Sequence, residues 1–312
     1  MVRKIILDMD PGIDDALAIL LALRSPELEV LGISIVSGNV HANKGAINAL
    51  RTLEILNRGD IPVYIGQIKP LLRELEVAES IHGSDGLGDA DIQIPLRKPE
   101  KKKGVLFIID TVMESDPGEI TIIATGPLTN IASALLIEPR IATHIQELII
   151  MGGAYGLTEY GFGNCTPVSE FNIYTDPEAA KIVFESGAPI TAIGLDVTTD
   201  PTTILTKDTY DLLKKTNSTT ANFIVRICKR LIDLFGYLQL HDPIAVSAAI
   251  DRKLFKTSPY YVEVVTMDGV TRGQTLIDRR PYPFIEKKKP NADIAYWIDG
   301  ERFLKLFLDR VR

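Results

Sequence analysis

Apolar and polar positions alternate along this chain in blocks whose period switches between two and about 3.6. Residues 4–9 form an apolar run that meets the turn Pro11-Gly12, and Ile13–Leu23 then carries apolar residues at helical spacing, so the chain opens strand, loop, helix. The same switch recurs downstream. Residues 30–36 predict a strand, 43–57 a helix, 63–65 a short strand and 105–114 a helix. Further strands are predicted at 120–124, 147–151 and 190–194, with helices at 128–136 and 177–185. Such alternation implies a mostly parallel sheet with helices on both faces, because parallel neighbours need a crossover that usually contains a helix.

The alternation breaks after that point. Residues 219–235 and 243–250 predict two successive helices, 262–276 a hairpin turning at Asp268-Gly269, and 300–312 a closing helix. Residues 67–103 carry little periodic pattern, and a loop of that length in a compact domain is often a functional lid or partly ordered. No repeat, low-complexity stretch or linker interrupts the chain, so the expectation is one α/β domain spanning residues 1–312.

Composition narrows the function classes. With 312 residues, 46% of them hydrophobic, there is ample material for a large core, and the formal charge of −7 disfavours a nucleic-acid backbone or an anionic membrane as partner. The basic runs at 97–103 and 287–289 are short, sit beside Pro99 and Pro290, and read as solvated loops. Cys165 and Cys228 are too few for a disulfide scaffold and lack metal-ligand spacing. No apolar stretch at the start is long enough for a signal peptide or a membrane span, which makes the cytoplasm the expected compartment.

Candidate chemistry concentrates at Asp8, Asp10, Asp14 and Asp15, four carboxylates within eight residues at the carboxyl end of the first strand, where open α/β sheets bind ligands. Carboxylates so close repel one another unless they face water or share a cation. A helix start accounts for some acid, since Asp14 and Asp15 suit the positive end of a helix dipole, and Asp8 is expected to be structural. Three motif readings compete. An EF-hand calcium loop fails, because Gly12 stands where a ligand is needed. A haloacid-dehalogenase-like phosphatase also begins with a strand ending in Asp-x-Asp, but here two more acids would crowd the phosphate site. The string Asp8-Met9-Asp10-Pro11-Gly12-Ile13-Asp14-Asp15-Ala16 resembles the N-terminal signature of the inosine-uridine-preferring nucleoside hydrolases, and the resemblance runs along nearly the whole sequence.

That resemblance implies a Rossmann-like nucleoside hydrolase fold and a Ca2+-dependent enzyme that splits the N-glycosidic bond of ribonucleosides. It assigns the ion to Asp10, Asp15, the backbone carbonyl of Thr125 and Asp242, with Asp10 also taking a proton from a calcium-bound water. It places Asp14, Asn39, Asn164, Glu170 and Asn172 around the ribose, with Met151 among the substrate contacts at the end of its strand. It sets His241 beside the departing base as a proton donor and His82, within the loop at 67–103, near the base in pyrimidine-acting members. Taken without the resemblance, each downstream segment has a plainer reading. Thr125-Gly126-Pro127 is a strand-to-helix turn, Asp242 a helix cap, and Ile81-His82-Gly83 part of a glycine-rich loop.

The set implies uridine, cytidine or a broader range including inosine as substrate, and a homodimer or homotetramer. A ribonucleoside sensor without turnover is the second alternative beside the phosphatase. No Walker loop, Gly-x-Ser-x-Gly elbow or dinucleotide fingerprint stands in a suitable context. Trp297, the one tryptophan, has no evident place over a base, whereas Tyr237 is a candidate cover.

Overall fold

A computed structural model describes residues 2–282, 284 and 286–311. Its strands, in chain order, are β1 Arg3–Met9, β2 Leu28–Ile35, β3 Val63–Ile65, β4 Ile120–Ala124, β5 Glu147–Met151, β6 Ile190–Ile193, β7 Leu205–Thr206, β8 Tyr237–Leu238, β9 Phe255–Tyr260, β10 Val262–Val264, β11 Thr275–Ile277 and β12 Ala292–Ile298. Eight of them form one sheet in the order β3-β2-β1-β4-β5-β6-β12-β9. Every pairing in it is parallel except that of the edge strand β9 with β12. The expected α/β architecture with a mostly parallel sheet is therefore present.

Both faces of the sheet are covered, as parallel sheets require. On β1 the side chains alternate between them: Ile5, Leu7 and Met9 enter one apolar core, and Ile6 enters the other. The first core is closed by Ile13–Leu23, Ala42–Ile55, Thr219–Phe235, His241–Ile250 and Gly300–Val311. Beyond Asp14 and Asp15 the helix Ile13–Leu23 is apolar on all sides, and it is buried from Ile13 to Ala22, which fits its position among other helices rather than at the surface. The helix Thr219–Phe235 starts at Ser218, whose side chain accepts from the Ala221 amide at 3.0 Å, and stops at Gly236 in the left-handed region at φ 81°.

Most predicted elements recur with ends shifted by one or two residues, and the hairpin forms as β10 and β11. The helix expected from residue 243 begins two residues earlier, at His241. Arg312, assigned by pattern to the closing helix, lies outside the described residues. Four strands were missed: the two-residue β7 and β8, which pair with each other, and two strands of the main sheet. β9 carries Pro259, which confines it to a sheet edge, and β12 lacks a clean alternation because it is half-exposed beside that edge.

The long segment 67–103 is tied down at several points. Leu71 donates its amide to Asp176 at 2.8 Å, Arg73 pairs with Glu178 at 2.6 Å, and Arg230 pairs with Asp89 at 3.2 Å while donating to the carbonyls of Ser80 and Ile81. Positive-φ glycines at 83, 86 and 88 let the chain turn sharply after the short helix Glu79–His82. His82 is thereby delivered to the sheet's carboxyl edge. No helix among the described residues is long and apolar enough to cross a membrane.

Candidate active site

The strand order reverses between β1 and β4, which makes their carboxyl ends the topological switch point where open α/β sheets bind ligands. Asp10 follows β1, Gly38 and Asn39 follow β2, Thr125 follows β4, and Met151 ends β5. Asp14 and Asp15 open the first helix, and His241 and Asp242 open a helix more than two hundred residues later. A cavity of about 330 Å³ lies over this edge, lined by Asp14, Asn39, His82, Thr125, Met151, Asn164, Glu170, Asn172, His241 and Asp242. Every substrate contact expected from the sequence is on that wall. A larger cleft of about 1110 Å³, bounded by residues including Tyr261, Arg280 and Lys288, lies away from these carboxylates. Convergent buried groups rather than volume mark the smaller cavity as the candidate site.

Carboxyl oxygens of Asp14, Asp15 and Asp242 lie within 4.8 Å of one another, and all three side chains are buried. Asp10 stands beside them, fully buried, with Oδ2 accepting from the Asn39 amide at 2.6 Å. Burial, with mutual repulsion added, raises the proton affinity of Asp10 and Asp242 far above the carboxylate range and that of Asp14 to about 8. Burial likewise raises Asp15, against the amide of Gly12, which donates to its Oδ2 at 2.9 Å, and the Thr125 hydroxyl, which donates to its Oδ1 at 3.1 Å.

Among the described residues, the one basic side chain within 4.0 Å of these four acids is His82, whose Nδ1 lies 4.0 Å from Asp14 and whose ring is neutral. One oxygen each of Asp10 and Asp14 is buried with no hydrogen-bond partner. Asp242 does not cap its helix, because the N-cap position is Leu240 and Asp242 lies within the first turn. Buried carboxylates with orphaned oxygens and no cationic side chain fit a hard cation, and oxygen donors of this kind suit calcium. Asp14, assigned to the sugar by resemblance, belongs to the tightest triplet, while Asp10 lies alongside it. The Thr125 carbonyl, the fourth expected ligand, accepts from Asn172 Nδ2 at 2.7 Å and keeps a second lone pair.

Close approach of the backbone holds Asp10 in place. A methyl group on Gly38 would lie 2.1 Å from Asp10 Oδ2 and 2.7 Å from Pro127, and one on Gly126 would lie 2.8 Å from Asp10 Oδ1. Gly38→Ala is expected to displace the carboxylate and lower turnover about tenfold to a hundredfold, the usual scale for an ångström of misplacement. Steady-state kinetics on a variant with unchanged melting temperature would check it; undiminished turnover would mean that Asp10 has room to move.

The remaining polar groups divide by what already engages them. Glu170 accepts from the amides of Asn172, Ile173 and Gly153 at 2.9 to 3.1 Å, so it organises its loop as well as facing the cavity. Asn164 accepts from the Phe171 amide at 3.0 Å. Asp8 points away from the cavity, bonded to Asn130 at 2.8 Å, and burial lifts it to about 7. The structural role expected of Asp8 agrees with that position.

Two imidazoles complete the wall. The amide of Ile13 donates to His82 Nδ1 at 3.1 Å, and because an amide only donates, His82 is a neutral ring with its proton on Nε2. His241 Nδ1 lies 2.8 Å from the hydroxyl of Thr198. Burial pushes both rings down to about 4, His82 with some help from repulsion by His241.

Residues not singled out from the sequence also line the cavity: Ile81, Leu231, Phe235, Leu238 and Gln239 beside the expected Tyr237. Leu231 and Phe235 are four apart on one helix and Gln239 is two before His241, spacings that gain meaning only once His241 is placed. Trp297 is not on the wall; its ring lies on β12, 4.7 Å from the Lys256 ammonium.

A family profile described as inosine-uridine preferring nucleoside hydrolase matches residues 5–305. The pyrimidine-specific ribonucleoside hydrolase RihA of Salmonella arizonae is 41% identical over 323 residues, covering 100% of this chain and 99% of that protein. A protein named probable uridine nucleosidase 2, from Arabidopsis thaliana, is 39% identical over 99% of this chain and 97% of its own length. Among solved structures, a plant nucleoside hydrolase superposes with TM-score 0.92 at 35% identity, covering 100% of this chain and 99% of that one. A purine-preferring ribonucleoside hydrolase from Gardnerella vaginalis superposes with TM-score 0.88 at 36% identity, covering 99% and 98%.

Proposed function

We propose, because the chain belongs to the inosine-uridine preferring nucleoside hydrolase family, that this cavity holds a ribonucleoside with its sugar over the carboxylates and its base toward the two histidines. The enzyme is a ribonucleoside hydrolase: water oxygen bonds to C1′, the bond from C1′ to the base nitrogen breaks, and the base leaves with a proton. The observation that carries the site reading is the burial of Asp10, Asp14, Asp15 and Asp242 together, with an orphaned oxygen on each of Asp10 and Asp14 and, among the described residues, no cationic side chain to neutralise them.

Calcium held by Asp10, Asp15, the Thr125 carbonyl and Asp242 would neutralise the cluster and acidify a bound water. Asp10, whose Oδ1 has no partner, accepts the proton of the attacking water. Asp14, Asn39, Asn164, Glu170 and Asn172 bind the ribose hydroxyls and orient C1′, while Met151 packs beneath the sugar. Hydrogen bonds to hydroxyls are most useful where they strengthen as positive charge develops on the ribosyl group.

At the other end of the cavity, His82 and His241 supply donors to the base, and Leu231, Phe235 and Tyr237 offer apolar surface to its ring. A uracil or cytosine ring, with its carbonyl acceptors, suits that combination, so pyrimidine nucleosides are the preferred substrates with inosine as a slower one. The similar identity to a pyrimidine-specific and a purine-preferring relative means that local wall residues, not overall likeness, carry this preference. A homodimer or homotetramer is part of the same reading, open to light scattering.

Ribose release measured on uridine, cytidine, inosine, adenosine and guanosine, before and after chelation, tests the proposal. Turnover should be greatest on the two pyrimidine nucleosides, vanish with chelator and return with calcium. Highest turnover on adenosine and guanosine would reject the base assignment. Tight nucleoside binding without ribose release would establish a sensor, and phosphate release from a phosphomonoester the phosphatase.

A further inference from the structure

The most informative unassigned contact lies behind His241, outside the cavity wall. Thr198 stands in the short helix Leu195–Thr198 that follows β6, and it is fully buried. Its Oγ1 is 2.8 Å from His241 Nδ1, across 43 residues of sequence. We propose that Thr198 is a positioning residue that donates its hydroxyl proton to His241 Nδ1, fixing the ring in the tautomer that presents Nε2–H to the departing base. The proposal rests on the reading of His241 as the group serving that base.

The direction of the hydrogen bond follows from what surrounds the hydroxyl. A buried hydroxyl needs an acceptor for its proton. The customary acceptor within a helix is the carbonyl four residues back, Gly194. That carbonyl already accepts the amides of Val197 and Thr198, both at 3.1 Å. The Leu195 carbonyl accepts the hydroxyl of Thr199 at 2.7 Å. His241 Nδ1 is then the acceptor available to Thr198. If the ring instead donated from Nδ1, the Thr198 hydroxyl would be left with a proton and no acceptor in a buried setting. Donation to Nδ1 satisfies both groups and leaves the ring's proton on Nε2.

The consequence is chemical. A base leaves as its nitrogen and carbonyl atoms gain negative charge, and those atoms require a donor. The tautomer with its proton on Nδ1 would offer them a lone pair. His82 is held in the same sense by an unrelated device, the Ile13 amide. Both rings therefore face the base end of the cavity as donors, each set by a fixed group behind it.

Three variants and two substrates make the test. Thr198→Val removes the hydroxyl while keeping the branched shape, Thr198→Ser restores it, and His241→Ala removes the ring. Turnover is measured on uridine and on p-nitrophenyl riboside, whose phenolate leaves without a proton. Thr198→Val should lower kcat on uridine about tenfold to a hundredfold with KM nearly unchanged, and leave the nitrophenyl substrate within about threefold. Thr198→Ser should stay within about threefold of the parent on both. Imidazole nitrogen shifts of the parent should show His241 bearing its proton on Nε2, and that signature should be lost or mixed in Thr198→Val. Equal loss on both substrates would make Thr198 merely structural, and a proton found on Nδ1 in the parent would refute the assignment directly. Impairment by His241→Ala but not by Thr198→Val rejects Thr198 while sparing the role of His241. An unimpaired His241→Ala rejects that role, and the proposal falls with it.

Discussion

Asp10→Asn is expected to cut turnover on uridine by roughly a thousandfold, and the loss should persist when calcium is saturating. The change is nearly isosteric. It leaves Asp15 and Asp242 to bind the ion, so a deficit that survives saturation cannot come from an empty site. What the amide lacks is the ability to take a proton: Asp10 Oδ1, buried and without a partner, is the acceptor that the variant loses. Calorimetry would measure the weakening of calcium binding separately from kcat, which is read along a calcium titration. Full turnover at saturating calcium would demote Asp10 to a ligand.

The same cluster links the ion to folding. Four buried carboxylates raised by burial and by one another gain from a cation that only the folded arrangement assembles. Their affinities are raised, so without the ion each contributes stability that is present at low pH and is lost as the pH rises through its folded value. Asp14 marks the window, from the ordinary carboxylate range up to about 8. A cation held there would offset that loss by stabilising the ionised form, and so would tie the hydrolytic site to the integrity of the strand ends carrying it.

Legibility in the sequence followed physical locality. The first strand, loop and helix were readable because apolar periodicity, Pro11-Gly12 and the acids occur within twenty residues, so a local pattern already implies the switch-point site. Asp242 and His241 were different: as residues they suit a helix start, and only the family resemblance brought them to Asp15. The fold now supplies the reason, since the helix they open packs against Ile13–Leu23. Thr198 and Gln239 carried no signal of their own type. Thr198 does stand just past the end of a parallel strand, the one positional cue that could have marked it. β12 went unread because its pattern mixes sheet-face burial with exposure next to an edge strand interrupted by Pro259.

His241→Ala separates the two halves of the reaction by making its effect depend on the leaving group. Hypoxanthine and uracil both depart poorly as anions, so a variant without the donor should lose turnover on inosine and uridine by about a hundredfold to ten-thousandfold. Inosine should suffer most, because hypoxanthine takes its proton at N7 as it leaves and so depends on a donor at that atom. Uridine should suffer less, because uracil delocalises charge onto its carbonyl oxygens, where the Nε2–H of His82 remains available as a donor. An activated riboside carrying p-nitrophenol should be nearly unaffected, since phenolate needs no proton and Asp10 with its water is intact. Burial holds His241 neutral at physiological pH. The neutral ring therefore acts through its Nε2–H as a hydrogen-bond donor whose hold strengthens as negative charge develops on the base. Measured kcat values on inosine, uridine and the nitrophenyl riboside decide the matter. Equal losses on all three would remove the donor role and leave His241 as a support for Asp242, the next residue on the same helix turn.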